Sequence, residues 1–146
     1  MTPTIRPART EDWPSIRALL EARNLPIDGA ESHVVDFLVA TDPASNAAIA
    51  VAGLERYGEV GLVRSVAVAE DVAARGLGSA LVRALLRRAG EGGIGAVYLL
   101  TTTAAGWFSR FGFRVVRRED VPQALGESAE LRGACPSTAV AMELRL

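Results

Sequence analysis

The chain contains no lysine: its 16 basic residues are all arginine, set against 17 acidic ones for a formal charge of −1. So even a balance excludes the broad basic footprint of a nucleic-acid binder, and no nucleic-acid partner is expected. Compositional bias explains the arginine preference more simply than a role in oxyanion binding. A single cysteine, Cys135, rules out an internal disulfide and fits a reducing compartment. With one histidine, His33, no Cys/His cluster has metal-ligand spacing, and no metal is expected. His33 falls in the polar stretch Asp28 to His33 and reads as a solvated helix residue. Long apolar runs are missing too: no segment approaches the roughly 18 residues that a membrane span needs. The stretch Met1 to Pro7 has no apolar signal region, so the expected location is the cytoplasm, with no membrane partner. A nucleotide P-loop would need Gly-Lys-Ser/Thr, which is absent; a dinucleotide fingerprint would need a third glycine where Leu81 stands.

What is present is a chain of 146 residues without repeats, the size of one domain, here taken as residues 1–146. Thr4 to Arg9 reads as a first strand. Thr10 then caps a helix over Glu11 to Arg23 whose apolar side carries Trp13, Ile16, Leu19 and Leu20. A short helical stretch over Glu31 to Asp36 precedes strands at Phe37 to Ala40 and Ala48 to Leu54. The turn at Tyr57-Gly58-Glu59 leads into a long strand from Val60 to Val68. Leu77, Leu81, Ala84 and Leu85 mark a crossover helix over Gly78 to Ala89. There follow a buried strand (Ala96 to Leu100), a short helix (Ala104 to Arg110), a strand (Phe113 to Arg117), a helix within Glu119 to Arg132, and a last strand (Thr138 to Leu144). The pattern predicts an α/β fold with a mixed sheet.

The most informative segment is the apolar strand Val66-Ala67-Val68, followed by a glycine-bearing loop that opens a helix at Gly76-Leu77-Gly78. A helix start leaves backbone N–H groups unpaired and carries partial positive charge, so it cradles an anion such as a phosphate. Trp107-Phe108 and Phe111-Gly112-Phe113 follow after the next strand. In this order the segments resemble the GNAT superfamily of acetyl-CoA-dependent N-acetyltransferases, over almost the whole chain. The resemblance implies one GNAT-like domain with a central, mostly antiparallel sheet flanked by helices, using acetyl-CoA as co-substrate. It implies that the backbone of Val66, Ala67 and Val68 runs along the pantetheine arm. It also implies that the amides of Ala73, Ala74, Arg75, Gly76, Leu77, Gly78 and Ser79 hold the pyrophosphate. Ala73 departs from the family's usual Gln or Arg, with Arg75 a candidate replacement contact. Phe108 stands where the family often has a tyrosine acid, and is carried over as a cofactor contact. Where some relatives place a basic glutamate this chain has Leu62, leaving Glu55 and Glu59 as catalytic candidates. Both sit beside the Tyr57-Gly58-Glu59 turn, where solvent-exposed charge is the competing reading.

The segment Leu99 to Phe108, with its Thr101-Thr102-Thr103 run, is similar to the short N-acetylglutamate synthases. Together with Leu25-Pro26, Arg64 to Val68 and Cys135-Pro136-Ser137, it looks even more like the ArsN-type acetyltransferases of arsenic resistance operons. Both resemblances imply a small-molecule amine acceptor of amino-acid type, glutamate or a glutamate-analogue organoarsenical. Arg64, Thr101, Thr102, Thr103 and Arg132 are then the candidates for an acceptor carboxylate, because guanidinium forks and hydroxyls match such groups. The threonines could equally cap the short helix. A noncatalytic acyl-CoA sensor and an enzyme acting on a protein or peptide amine are the alternatives. A homodimer is admitted without being required.

Overall fold

The computed structural model describes residues 3–71 and 76–146. Seven strands form one sheet: β1 (Thr4–Pro7), β2 (Leu38–Thr41), β3 (Ala48–Tyr57), β4 (Val60–Val68), β5 (Ala96–Thr101), β6 (Arg114–Val116) and β7 (Val140–Arg145). Their order across the sheet is β1-β2-β3-β4-β5-β7-β6, and among the described residues only the β4–β5 neighbours run parallel. The parallel step follows from the crossover helix α2 (Leu77–Glu91), since parallel neighbours cannot be joined by a tight turn.

The periodicity of α2 places Leu77, Leu81, Val82, Leu85 and Ala89 on its buried side. They pack with Leu38, Ala52, Leu54, Val63, Val97 and Leu99 on one face of the sheet, together with Phe108 from α3 (Ala105–Ser109). The opposite face is covered by α1 (Trp13–Ala22), which buries Trp13, Ile16, Leu19 and Leu20 against Phe37, Val39 and Val51. Further along that face, the C-terminal turns bring Leu125 onto Leu62, Ala96 and Tyr98. No helix among the described residues is long and apolar enough to cross a membrane.

Two local expectations are corrected. Thr10 does not cap the first helix: it lies inside a short 3-10 turn (Thr10–Asp12), and the Asp12 carboxylate accepts the Arg9 N–H at 2.7 Å while gripping Arg6 with two 2.8 Å bonds. The helix expected within Glu119 to Arg132 is instead a string of short turns, Arg118–Asp120, Gln123–Glu127 and Glu130–Ala134. Pro122 forces Val121 into an extended conformation (ψ 132°), Ser128 is extended at ψ 135°, and Gly133 takes φ 120°. Three interruptions in so short a stretch stop helix propagation.

The feature that shapes the site is in β4. Val51 pairs with Ala67 but Gly53 with Arg64, so Ser65 and Val66 together oppose Ala52. This is a β-bulge, and Ser65 occupies its left-handed position at φ 58°. On the other side, β4 and β5 pair only at Val60–Ala96, Gly61–Val97 and Leu62–Tyr98. Beyond Leu62 the bulged strand and β5 part, leaving a wedge-shaped gap in the middle of the sheet.

Candidate functional site

The gap exposes an edge of backbone that would otherwise be paired. The Ala69 N–H donates to the Ile49 carbonyl at 2.8 Å, toward β3. Because successive residues of a strand point their N–H and C=O groups to opposite sides, those of Val68 and Val66 face the gap. An extended ligand laid along β4 therefore meets unpaired donors and acceptors at these two valines.

At the end of this edge stands the start of α2. Gly76 takes φ 73° before the first helical residue, and the first N–H groups that follow, at Leu77, Gly78 and Ser79, have no partners within the helix. A Cβ on Gly78 would lie 3.3 Å from Val68 Cγ2 and 3.6 Å from Trp107 Cζ2. Its bare backbone thus brings the helix end close against the strand. A cavity of about 620 Å³ opens there, lined by Val66, Val68, Gly76, Gly78, Ser79 and Trp107, with Phe108 at its inner end and Arg23 and Arg110 at its rim. Ala67 shares this lining, and Ala73, Ala74 and Arg75 lie outside the described residues. Trp107 joins the cavity wall beside Phe108, the residue next to it in sequence, and the two rings sit edge to face at 4.9 Å.

A second cavity, of about 560 Å³, shares Val66, Thr103, Ala104 and Phe108 with the first and takes Val63 and Leu99 from the two parted strands. Its walls include Arg64, Ser65, Thr101, Thr102, Thr103, Glu130 and Cys135. The Arg64 side chain is fully enclosed. Its Nη1 donates to Glu55 Oε2 at 2.7 Å and to the Asp28 carbonyl at 2.8 Å, Nη2 to the Pro26 carbonyl at 3.2 Å, and Nε to Ser65 Oγ at 3.0 Å. Glu130 Oε2 lies 3.4 Å from Nε. The sequence reading of Arg64 as a fork for an acceptor carboxylate thus meets a guanidinium with a single Nη2 hydrogen left over among the described residues. Its main partners are a structural carboxylate and the backbone of the segment after α1.

Glu55, expected at an exposed turn, is buried at 1% exposure. It accepts from Tyr57 Oη at 2.5 Å as well as from Arg64, and faces His33 Nε2 at 3.7 Å. Burial, and then the bond to Glu55, hold the Tyr57 hydroxyl above its ordinary range. His33, expected in solvent, is half-buried against this pair. Glu59 is exposed in the β3–β4 turn, at the end of β4 away from the gap. Thr101 Oγ1 accepts the Ala104 N–H at 3.0 Å, so this threonine holds the entry to α3, while Thr102 and Thr103 are exposed along the cavity wall. Arg132 is exposed and donates to the Gly126 carbonyl at 3.0 Å, away from the cavity lining.

Glu130 had no signal in the sequence beyond its charge. Burial pushes its carboxyl up to about 7, with Arg64 pulling it down and Glu55 adding to the rise. Burial, then the charge of Glu130, push the neighbouring Cys135 thiol up to about 12, so at neutral pH it is a protonated donor to Glu130.

Residues 33–115 match the model of the acetyltransferase (GNAT) domain. An amino-acid acetyltransferase of Mannheimia succiniciproducens is 36% identical over 77 residues, 51% of this chain but 18% of that protein. The N-acetylglutamate synthase of Neisseria gonorrhoeae, solved with coenzyme A and N-acetylglutamate, superimposes with a TM-score of 0.82 at 22% identity. That overlay takes in 100% of this chain and 35% of the synthase. Rv2747 of Mycobacterium tuberculosis, solved with CoA and NLQ, gives 0.78 at 23% identity over 99% of both chains.

Proposed function

From the GNAT acetyltransferase domain family, to which this chain belongs, we propose an acetyl-CoA-dependent N-acetyltransferase acting on the amine of a small amino-acid-like acceptor. The observation that carries this reading is the parting of β4 and β5 beyond Leu62, with two cavities beside it that share Val66, Thr103, Ala104 and Phe108 in their walls. The larger holds the donor: the pantetheine arm runs along Val66, Ala67 and Val68, and the pyrophosphate sits on the amides between Ala73 and Ser79. Phe108 closes the inner end. A backbone N–H facing the gap stabilises the oxyanion that forms as the amine attacks, and no covalent enzyme intermediate is needed.

The smaller cavity holds the acceptor. Its wall offers the hydroxyls of Thr102 and Thr103 to a carboxylate, and the enclosed Arg64 guanidinium adds positive charge to the same wall. The likeness to an amino-acid acetyltransferase, and to a synthase solved with N-acetylglutamate, supports an amino acid there, with glutamate or a glutamate-analogue organoarsenical as the specific candidates.

The test is a CoA-release screen with L-glutamate, phosphinothricin-like and arsinothricin-like amino acids, other small amines, and peptides. Release with one or a few amino acids is the expected result. Acetyl-CoA binding without release across the panel would identify an acyl-CoA sensor, and release with peptides alone would identify a protein-directed enzyme.

A further inference from the structure

Among the described residues two carboxylates line the 560 Å³ cavity, Asp28 and Glu130. Asp28 is exposed, and it is its backbone carbonyl that reaches Arg64. Glu55 does not line the cavity, and both its oxygens are taken, one by Arg64 and the other by Tyr57 with His33 beyond. Glu130 differs from both. It is 4% exposed, lines the cavity from the turn Glu130–Ala134, lies 3.4 Å from Arg64 Nε and accepts from the Cys135 thiol; a carboxylate with about four acceptor positions keeps room for another donor beside these two.

We propose that Glu130 is the catalytic base, the group that takes a proton from the acceptor's ammonium in the cavity. The assignment rests on the acetyl-transfer reading above. Glu130 accepts one proton from R–NH₃⁺, and the freed nitrogen lone pair attacks the thioester carbonyl carbon. The new C–N bond forms, the C–S bond breaks, and the CoA sulfur leaves as thiolate. That thiolate takes the second proton, shed by the acylated nitrogen, and Glu130 returns its own proton to water. Cys135 is a positioning residue: its thiol donates to Glu130 and favours the ionised carboxylate.

The groups facing Glu130 come from every side. Arg64 on β4 favours ionisation, Glu55 on β3 opposes it with Tyr57 and His33 behind, and Arg118 lies near the Cys135 thiol. Burial outweighs Arg64 and leaves the carboxyl near 7, matched to proton transfer at neutral pH.

The experiment measures CoA release against pH, with L-glutamate first and then the remaining amino acids of the screen. Wild-type kcat/KM rises with pH through the neutral range. In Glu130→Gln the rate at pH 7 falls by about 100-fold or more, the acetyl-CoA KM stays unchanged, and the rate recovers above about pH 9 as the amine deprotonates by itself. Cys135→Ala moves the rising limb to higher pH, and Cys135→Ser restores it. Should Gln at position 130 misfold, Glu130→Asp is read instead, and an intermediate rate with the wild-type limb displaced is expected. A folded Glu130→Gln, or Glu130→Asp, with kcat/KM within about twofold of wild type and the same pH limb overturns the assignment. Wild-type protein that binds acetyl-CoA yet acetylates none of the amino acids overturns the acetyl-transfer reading, and the base with it.

Discussion

Arg64 and Glu55 form a diagonal cross-strand pair, Nη1 to Oε2 at 2.7 Å, with neither side chain more than 1% exposed. The register places them together: Arg64 opposes Gly53 on β3, while Glu55 opposes Leu62 on β4. The bulge at Ser65 begins immediately after Arg64, so the pair braces β4 at the point where it leaves β5. Arg64→Ala leaves Glu55 and Glu130 facing each other without their shared cation, and should cost about 3–5 kcal/mol. Arg64→Met combined with Glu55→Gln should cost less than the sum of the two single changes. Denaturant unfolding of wild type, Arg64→Ala, the two single variants and the double variant checks both statements. Additive costs would mean that the pair is not coupled.

Two buried glutamates should give stability opposite pH dependences. Glu130 has its folded-state carboxyl raised from 4.5 to about 7, so its contribution is complete below about 4.5 and is lost as pH rises through 7, a loss of about 3 kcal/mol. Glu143 is held below its ordinary range by the Tyr98 hydroxyl at 2.6 Å and then by Arg114 at 2.6 Å. Its contribution is present above the ordinary carboxylate range and is lost as the solution is acidified. Glu130→Gln should therefore melt higher than wild type at pH 8.5, with the difference shrinking toward pH 4.5. Glu143→Gln should lose most at neutral pH and least in acid. Thermal melts from about pH 2.5 to 8.5 decide it, the Glu143 change falling in the acid part of that range and the Glu130 change in the neutral part.

Gly78 sits where α2 meets Val68 and Trp107. Gly78→Val puts branched carbons into that contact and pushes the helix start away from the strand edge. Acetyl-CoA affinity should fall by at least tenfold, about 1.4 kcal/mol, with the fold retained, since Val is tolerated in helices. Calorimetric titration with acetyl-CoA beside a circular dichroism spectrum separates the two effects. Unchanged affinity would place the pyrophosphate elsewhere.

The meander, the crossover helix and the glycine-bearing helix start were readable because each rests on local periodicity or a glycine: Leu77, Leu81 and Leu85 needed only spacing, and Gly76 only its φ of 73°. The bulge was not readable. A serine holds its left-handed position, and Val60 to Val68 looks in sequence like an uninterrupted strand. Glu55 reads in sequence as solvent-exposed for a related reason, since its burial depends on which β4 residue lies diagonally opposite, a matter of register and not of neighbours in sequence. Glu130 and Cys135 reach the cavity only because Pro122, Ser128 and Gly133 replace the expected helix with turns. The Thr101 hydroxyl accepts the N–H of Ala104, the residue just before α3, a loop contact that residue type and spacing do not separate from ligand contact.

The central claim is that donor and acceptor meet in the gap between β4 and β5. A crystal structure of the protein with coenzyme A tests it most directly. The expected result has the pantetheine arm paired with the backbone of Val66 and Val68, the pyrophosphate at the start of α2, and the sulfur pointing through the gap toward Arg64 and Glu130. Coenzyme A bound at another surface, with that gap empty, would contradict the account.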